Sequence, residues 1–400
     1  MRPDPSPAAR PAALPRNRSR HQVTSRIEAS GALAHLRFPI QQSRGRRYPE
    51  LAHPYRNPFQ RDRDRVVHAR AFRRLENKTQ VFTGGVSDHF RNRLTHSIEV
   101  SQIARTIASV LGLDEDLTEA LALAHDIGHP PFAHAAEEEL DRLMHRFGER
   151  FDHNIHALRI VERFESRYAR FPGLNLTFEV REGMAKHSRD FAPGEIPELD
   201  EYLPGLRPPL EAQLIDLCDE IAYDTADLDD GYHAGLVTME DARQASDLFR
   251  ELDEAVSMQY PGAGERIRMH EVVRGLIDAL VSGLVEGTIS AARGLAEVDA
   301  VRAHSTRVAR FTPVTAEAAA RLKRFLRERV YESEQLVLDR KRSVARIEAL
   351  FDLLYRRPEL LPAAYREESE GQSLHRQVCD YIAGMTDGFF MRTCAQVGIA

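Results

Sequence analysis

A chain of 400 residues has room for one large domain or two ordinary ones, and 42% apolar side chains are enough for a sizeable core. Three cysteines (Cys218, Cys379, Cys394) form no CxxC pair, which excludes a disulfide framework and fits a reducing, cytoplasmic setting. The net charge of −6 hides an asymmetry, because residues 1–80 hold 18 Lys+Arg against 6 Asp+Glu. A basic arm of this kind suits single-stranded nucleic acid or another polyanion, while a solvated tail plus structural arginines is the plainer reading.

Residues 1–35 are rich in Pro, Arg, Ala and Ser without periodicity and are expected to be a disordered basic tail. From Tyr55 the pattern turns helical, with Val66, Val67, Ala69, Ala71, Phe72 and Leu75 predicting one helix over 62–75. A loop is expected from Thr83 to Phe90. Helices are then expected over 94–111 (ended by Gly112), 114–126, 133–147, 152–168 and 177–187. Five prolines make 188–209 a loop. The stripe Leu214, Ile215, Leu217, Cys218, Ile221 and Ala222 predicts a helix over 211–228. Further helices are expected over 265–292, 315–329, 330–356 and 373–392. Strand signals are scarce, there is no phosphate-binding GxxxxGK[ST] or GxGxxG loop, and the fold class is all-α. The most apolar stretch, 275–298, is interrupted by Asp278, Glu286 and Arg293, so no membrane partner is expected.

The chemistry concentrates in Leu121-Ala-Leu-Ala-His-Asp-Ile-Gly-His-Pro-Pro-Phe-Ala-His134. An apolar helix ends in adjacent His125 and Asp126, with His129 and His134 just beyond. Imidazole and carboxylate together at a helix end suit a divalent ion, although about one His-Asp pair is expected by chance in such a composition. Two helices joined at Gly112 should pack antiparallel, which brings His96 at the start of one toward His125 and Asp126 at the end of the other. A later carboxylate should complete the set. Asp216, Asp219, Tyr223 and Asp227 share one face of the 211–228 helix, and Asp219 is the candidate. Two nitrogens, two carboxylates and open positions suit Mn, Fe or Mg better than a closed structural zinc site.

The set His96 … His125-Asp126 … Asp219 resembles the H…HD…D signature of the HD superfamily of metal-dependent phosphohydrolases. Arg73-Arg-Leu-Glu-Asn-Lys-Thr-Gln-Val81, Arg93-Leu-Thr-His-Ser97, His125 to His134, Phe151-Asp-His-Asn154, Asp219-Glu-Ile-Ala-Tyr223 and Asp380-Tyr-Ile-Ala-Gly-Met-Thr-Asp387 are similar to motifs of the deoxyguanosine triphosphate triphosphohydrolase group. The resemblance covers roughly Tyr55 to Asp387. It implies an HD core over 36–238, a C-terminal helical region over 239–400 packed on it, and hydrolysis of a dNTP to a deoxynucleoside and intact triphosphate.

The resemblance further implies that His96, His125, Asp126 and Asp219 bind the metal. It assigns phosphate or acid-base roles to His129, His134, Glu137 and His153, with His134 as general acid and Glu137 orienting it, because imidazole titrates near neutrality. Arg93 corresponds to a phosphate contact, and Gln80, Tyr223 and Asp227 to groups around the deoxyribose. Ala133 and Ala136 stand where the group often has Gly, and little effect is expected from so small a side chain. Implied partners are the dNTP, an effector nucleotide and further copies of the chain, hexamers being common among relatives. The alternatives are an HD phosphodiesterase or nucleotidase acting on another nucleotide, and a nucleic-acid-binding regulatory protein on the same fold.

Overall fold

The computed structural model describes residues 31–81, 90–369 and 371–399. Residues 1–30 of the expected tail, and the expected 83–90 loop apart from Phe90, lie outside them. Residues 31–35 pack on the core, with Leu33 buried and the Gly31 N–H donating to the Val110 carbonyl.

The described residues form α-helices and short 3-10 or π turns, with isolated bridges in place of a sheet. The helices are α1 Pro58–His68, α2 Arg70–Arg74, α3 Arg93–Leu111, α4 Glu115–Ala124, α5 Ala133–His145, α6 His153–Arg159, α7 Phe178–Ala185 and α8 Leu210–His233. They continue as α9 Met239–Ala245, α10 Asp247–Gln259, α11 Glu265–Ala291, α12 Val298–Arg302, α13 Pro313–Leu326, α14 Glu334–Arg356, α15 Ala363–Glu368, α16 Leu374–Ala383 and α17 Asp387–Gln396. The fold is all-α, and no described helix is long and apolar enough to cross a membrane.

Local chemistry sets the helix ends that matter for the site. Asn92 and Thr95 cap the start of α3 reciprocally. Gly112 ends α3 at φ 80°, and Asp114 accepts from the Leu117 N–H to start α4 two residues later. This short left-handed turn forces α3 and α4 antiparallel. Leu117, Leu121 and Ala124 of α4 then bury against Val100, Ala104 and Ile107 of α3 in a core shared with α7 and α8. Each buried leucine contributes about 1.5–3 kcal/mol over exposure. A second core joins Leu140, Leu143 and Met144 of α5 to Ile347, Phe351, Val378 and Phe390 of α14, α16 and α17.

Four predicted helices depart from their expected spans. The 152–168 helix is α-helical only to Arg159 and ends in a π turn over Ile160–Phe164. The 62–75 helix stops at Ala69, which is extended (ψ 148°), because the Glu165 carboxylate accepts the Ala71 N–H and starts α2 afresh. The 373–392 helix breaks at Gly384–Thr386, where Thr386 caps α17. The 315–329 helix starts at Pro313, and its end widens into a π turn over Arg327–Tyr331 before α14 begins at Glu334. Among the basic residues of 31–80, Arg37, Arg46, Arg56, Arg61, Arg63 and Arg65 each pair with a carboxylate, so these six are structural.

Candidate metal centre and active site

The antiparallel α3–α4 pair presents the first turn of α3 to the end of α4, and the middle of α8 closes the third side. His96 Nε2 lies 2.8 Å from Asp219 Oδ1. His125 Nε2 lies 3.6 Å from Asp126 Oδ1 and 3.7 Å from Asp219 Oδ1, both too long for hydrogen bonds. The four residues predicted as ligands therefore converge.

The ring of His125 is fixed by its other nitrogen, since Nδ1–H donates to the Ala122 carbonyl at 2.6 Å. That leaves Nε2 as a buried nitrogen without a hydrogen-bond partner, facing two carboxylates. A buried orphan of this kind is costly unless something binds it. Burial by itself disfavours an imidazolium here, yet Asp126 and Asp219 outweigh it and push His125 up to about 9. Burial likewise opposes ionisation of the carboxylates. Arg93 and the histidines hold Asp126 well below the ordinary range, and His125 and His96 do the same for Asp219. The site is thus organised for positive charge between ionised carboxylates, and its nitrogen and oxygen donors fit a divalent cation.

A second cluster adjoins the first. His129 Nδ1 is 2.9 Å from Asp126 Oδ1, and its ring stacks on His153 with centroids 3.9 Å apart. Burial, then Arg93 and His153, hold His129 well below its usual value. Glu137 Oε1 accepts from the His153 N–H at 3.0 Å and from its Nδ1–H at 2.6 Å, whereas Oε2 is 3.4 Å from Nδ1 of His134. Glu137 therefore orients His153 first and reaches the largely exposed His134 only at the limit of a hydrogen bond. Burial opposes its ionisation, but His153 and His134 keep it far below the usual carboxylate range.

The loop carrying His129 and His134 is held from the far end of the chain. Asp387 Oδ2 accepts the Thr79 N–H at 2.9 Å, and Oδ1 accepts the Phe132 N–H at 3.2 Å. The buried Lys78 ammonium donates to the carbonyls of His129 and Ala383. Phe132 and Ala133 both have left-handed backbones, φ 61° and 57°. Alanine at 133 is thus not neutral in the way its size suggests, since a left-handed residue with a Cβ costs about 1–2 kcal/mol.

Arg93 is buried and pairs with Asp126 at 2.8 Å. The Gln80 side-chain oxygen is buried without a hydrogen-bond partner. Lys323 of α13 lies 5.3 Å over the ring of Tyr223 on α8. Asp227 accepts from the Tyr331 hydroxyl, and burial pushes its pKa up to about 7 despite that bond. Tyr331 comes from the π turn after α13 and is absent from the sequence prediction. So is His187, just after α7, whose ring stands 5.2 Å from that of His125. Neither carries a local sequence pattern. Asp216 is the remaining clue, since it shares the Asp219 face.

The HD domain model matches residues 93–224, and the phosphohydrolase-associated domain model matches residues 309–396. A Geobacter metallireducens protein is 42% identical over 369 residues, 92% of this chain and 95% of its own. One from Azoarcus sp. is 46% identical over 353 residues, 88% of this chain and 92% of its own. Both bear the name deoxyguanosinetriphosphate triphosphohydrolase-like protein. An all-α chain with an HD corner, and relatives of this closeness along most of its length, belongs to the HD-domain phosphohydrolases, among the deoxyguanosinetriphosphate triphosphohydrolase-like proteins.

Proposed function

We propose that this chain hydrolyses deoxynucleoside triphosphates, dGTP among them, to the deoxynucleoside and inorganic triphosphate. The observation that carries the reading is the orphaned His125 Nε2 between two carboxylates held ionised, in a chain whose relatives bear a triphosphohydrolase-like name. His96, His125, Asp126 and Asp219 are the proposed holders of a divalent metal (Mg, Mn or Fe). Such an ion, when bound, lowers the pKa of water and polarises a phosphoryl oxygen.

The remaining roles belong to the protein's own groups. Glu137 accepts from Nδ1–H of His153 and so fixes the orientation of that ring. His129, stacked on it, and Arg93 line the same side. Water forms the new bond to the α-phosphorus and releases a proton to solvent as the bond to the 5′-oxygen breaks, and the departing alkoxide takes a proton. His134 is the proposed donor: it is solvent-connected and adjoins Glu137. Gln80, Tyr223 and Asp227 are the proposed sugar contacts. Tyr331 joins them, because its hydroxyl fixes the Asp227 carboxylate.

The test is incubation with each dNTP and NTP plus Mg or Mn, with products resolved by ion exchange. Inorganic triphosphate is the expected product. Orthophosphate or pyrophosphate would assign the chain to another HD nucleotidase or phosphodiesterase activity.

A further inference from the structure

His187 lies outside the H…HD…D set, yet it is built like a ligand. It is buried, and its Nδ1 lies 2.8 Å from Asp216 Oδ1, an ion-pair distance from a carboxylate. Asp216 is itself anchored: Oδ1 accepts the Ser188 N–H at 2.9 Å, and Oδ2 pairs with Arg307. Arg307 is fixed in turn by Asp190 and by the carbonyls of Lys186 and Arg189. The imidazole is therefore locked with Nε2 turned inward, 3.8 Å from Asp219 Oδ2.

A carboxylate on the outer nitrogen and a free inner nitrogen is the usual arrangement of a metal-bound histidine. His125 shows the same logic, with the Ala122 carbonyl in place of the carboxylate. Donor atoms of His125, His187 and Asp219 all lie within 4.8 Å of one another, as do those of His96, His125 and Asp126. Two donors each about 2.1 Å from one ion stand roughly 3–4 Å apart. The 3.7 Å and 3.8 Å separations of His125 and His187 from Asp219 match that spacing.

We propose that His187 is a fifth protein ligand of the metal, with Asp216 and Arg307 as the residues that position it. The proposal rests on the reading of His96, His125, Asp126 and Asp219 as a metal site, but not on the identity of the substrate. A fifth protein donor leaves one octahedral position open, which sets how many oxygens of water and phosphate can share the ion.

The test is titration of the metal-stripped full-length protein with Mn2+, followed by the electron paramagnetic resonance of free Mn2+. It covers the wild type, His187→Ala, His187→Gln and Asp216→Asn, each checked for an unchanged melting temperature. His187→Ala should weaken binding by about tenfold to a hundredfold, and Asp216→Asn, which keeps the ring, by about tenfold. If His187→Ala and His187→Gln both bind Mn2+ within threefold of wild type, the proposal is overturned. A raised KM with unchanged metal affinity would then make His187 a phosphate contact. A wild type that binds no Mn2+ overturns both this proposal and the metal site. Tight Mn2+ binding without dNTP turnover overturns the proposed substrate alone.

Discussion

Gly128 follows the His125–Asp126 pair by two residues, and its substitution by alanine tests whether the site depends on one tight backbone contact. A Cβ at this position would stand 2.0 Å from the His153 carbonyl oxygen, 2.5 Å from the Ala157 amide nitrogen and 2.7 Å from the Ala157 Cβ. Carbon contacts relax only near ~3.5–4.0 Å, so the loop and the start of α6 must separate by roughly 1.5 Å. Two of the three obstacles are backbone and cannot swing aside. The same junction carries the His129–His153 stack and the bond from His156 Nδ1–H to the Gly128 carbonyl at 2.8 Å. Overpacking of this kind costs about 1–3 kcal/mol in stability. Misplacing reacting groups by about 1 Å costs on the order of a hundredfold in rate. Gly128→Ala should therefore melt lower and lose about a hundredfold in kcat. Gly262→Ala, where no atom lies within 4 Å of the added Cβ, should match wild type in both. Thermal melting and steady-state kinetics on the preferred dNTP measure the two effects. A Gly128→Ala enzyme with wild-type melting and wild-type kcat would refute the reasoning.

The same framework makes two further predictions. Removing the Asp387 carboxylate frees the Thr79 and Phe132 amides, so Asp387→Ala should lower kcat by tenfold or more with KM little changed. Equal kcat in variant and wild type would show that the C-terminal helices do not hold the active-site loop. Burial pushes His156 down to about 3 in the folded chain, against about 6.5 when unfolded. Below pH 6.5 the unfolded chain takes up a proton that the folded chain refuses. Stability is therefore lost as pH falls, by about 2 kcal/mol at pH 5 and about 4 kcal/mol by pH 3 from this group. In urea titrations at pH 7.5 and pH 5, His156→Gln should lose about 2 kcal/mol less than wild type over that interval. An identical loss in both proteins would contradict the assignment.

The convergence of His96, His125, Asp126 and Asp219 was legible because its parts are local. His125 and Asp126 are adjacent, and a glycine turn of fixed length between α3 and α4 brings His96 to them. Asp219 needed only the periodicity of α8. What escaped detection depends on groups distant in sequence. The helix predicted through Ala69 contains no breaker, and the Glu165 side chain, 94 residues away from Ala71, restarts it. His187 follows a helix in a stretch with no motif, and only packing turns it toward Asp219. Tyr331 reaches Asp227 because a π turn shifts its direction, and Thr79 meets Asp387 across 308 residues. Glu137 sits one turn from His134, so spacing favours that pair, yet the cap of α6 brings His153 closer.

Anomalous X-ray diffraction from crystals grown with Mn2+ tests the central claim most directly. A single strong peak is expected at about 2.0–2.3 Å from donor atoms of His96, His125, Asp126 and Asp219, with the present 2.8 Å His96–Asp219 hydrogen bond replaced by bonds to the ion. A structure in which that hydrogen bond persists and the manganese lies elsewhere, or binds nowhere, would contradict it.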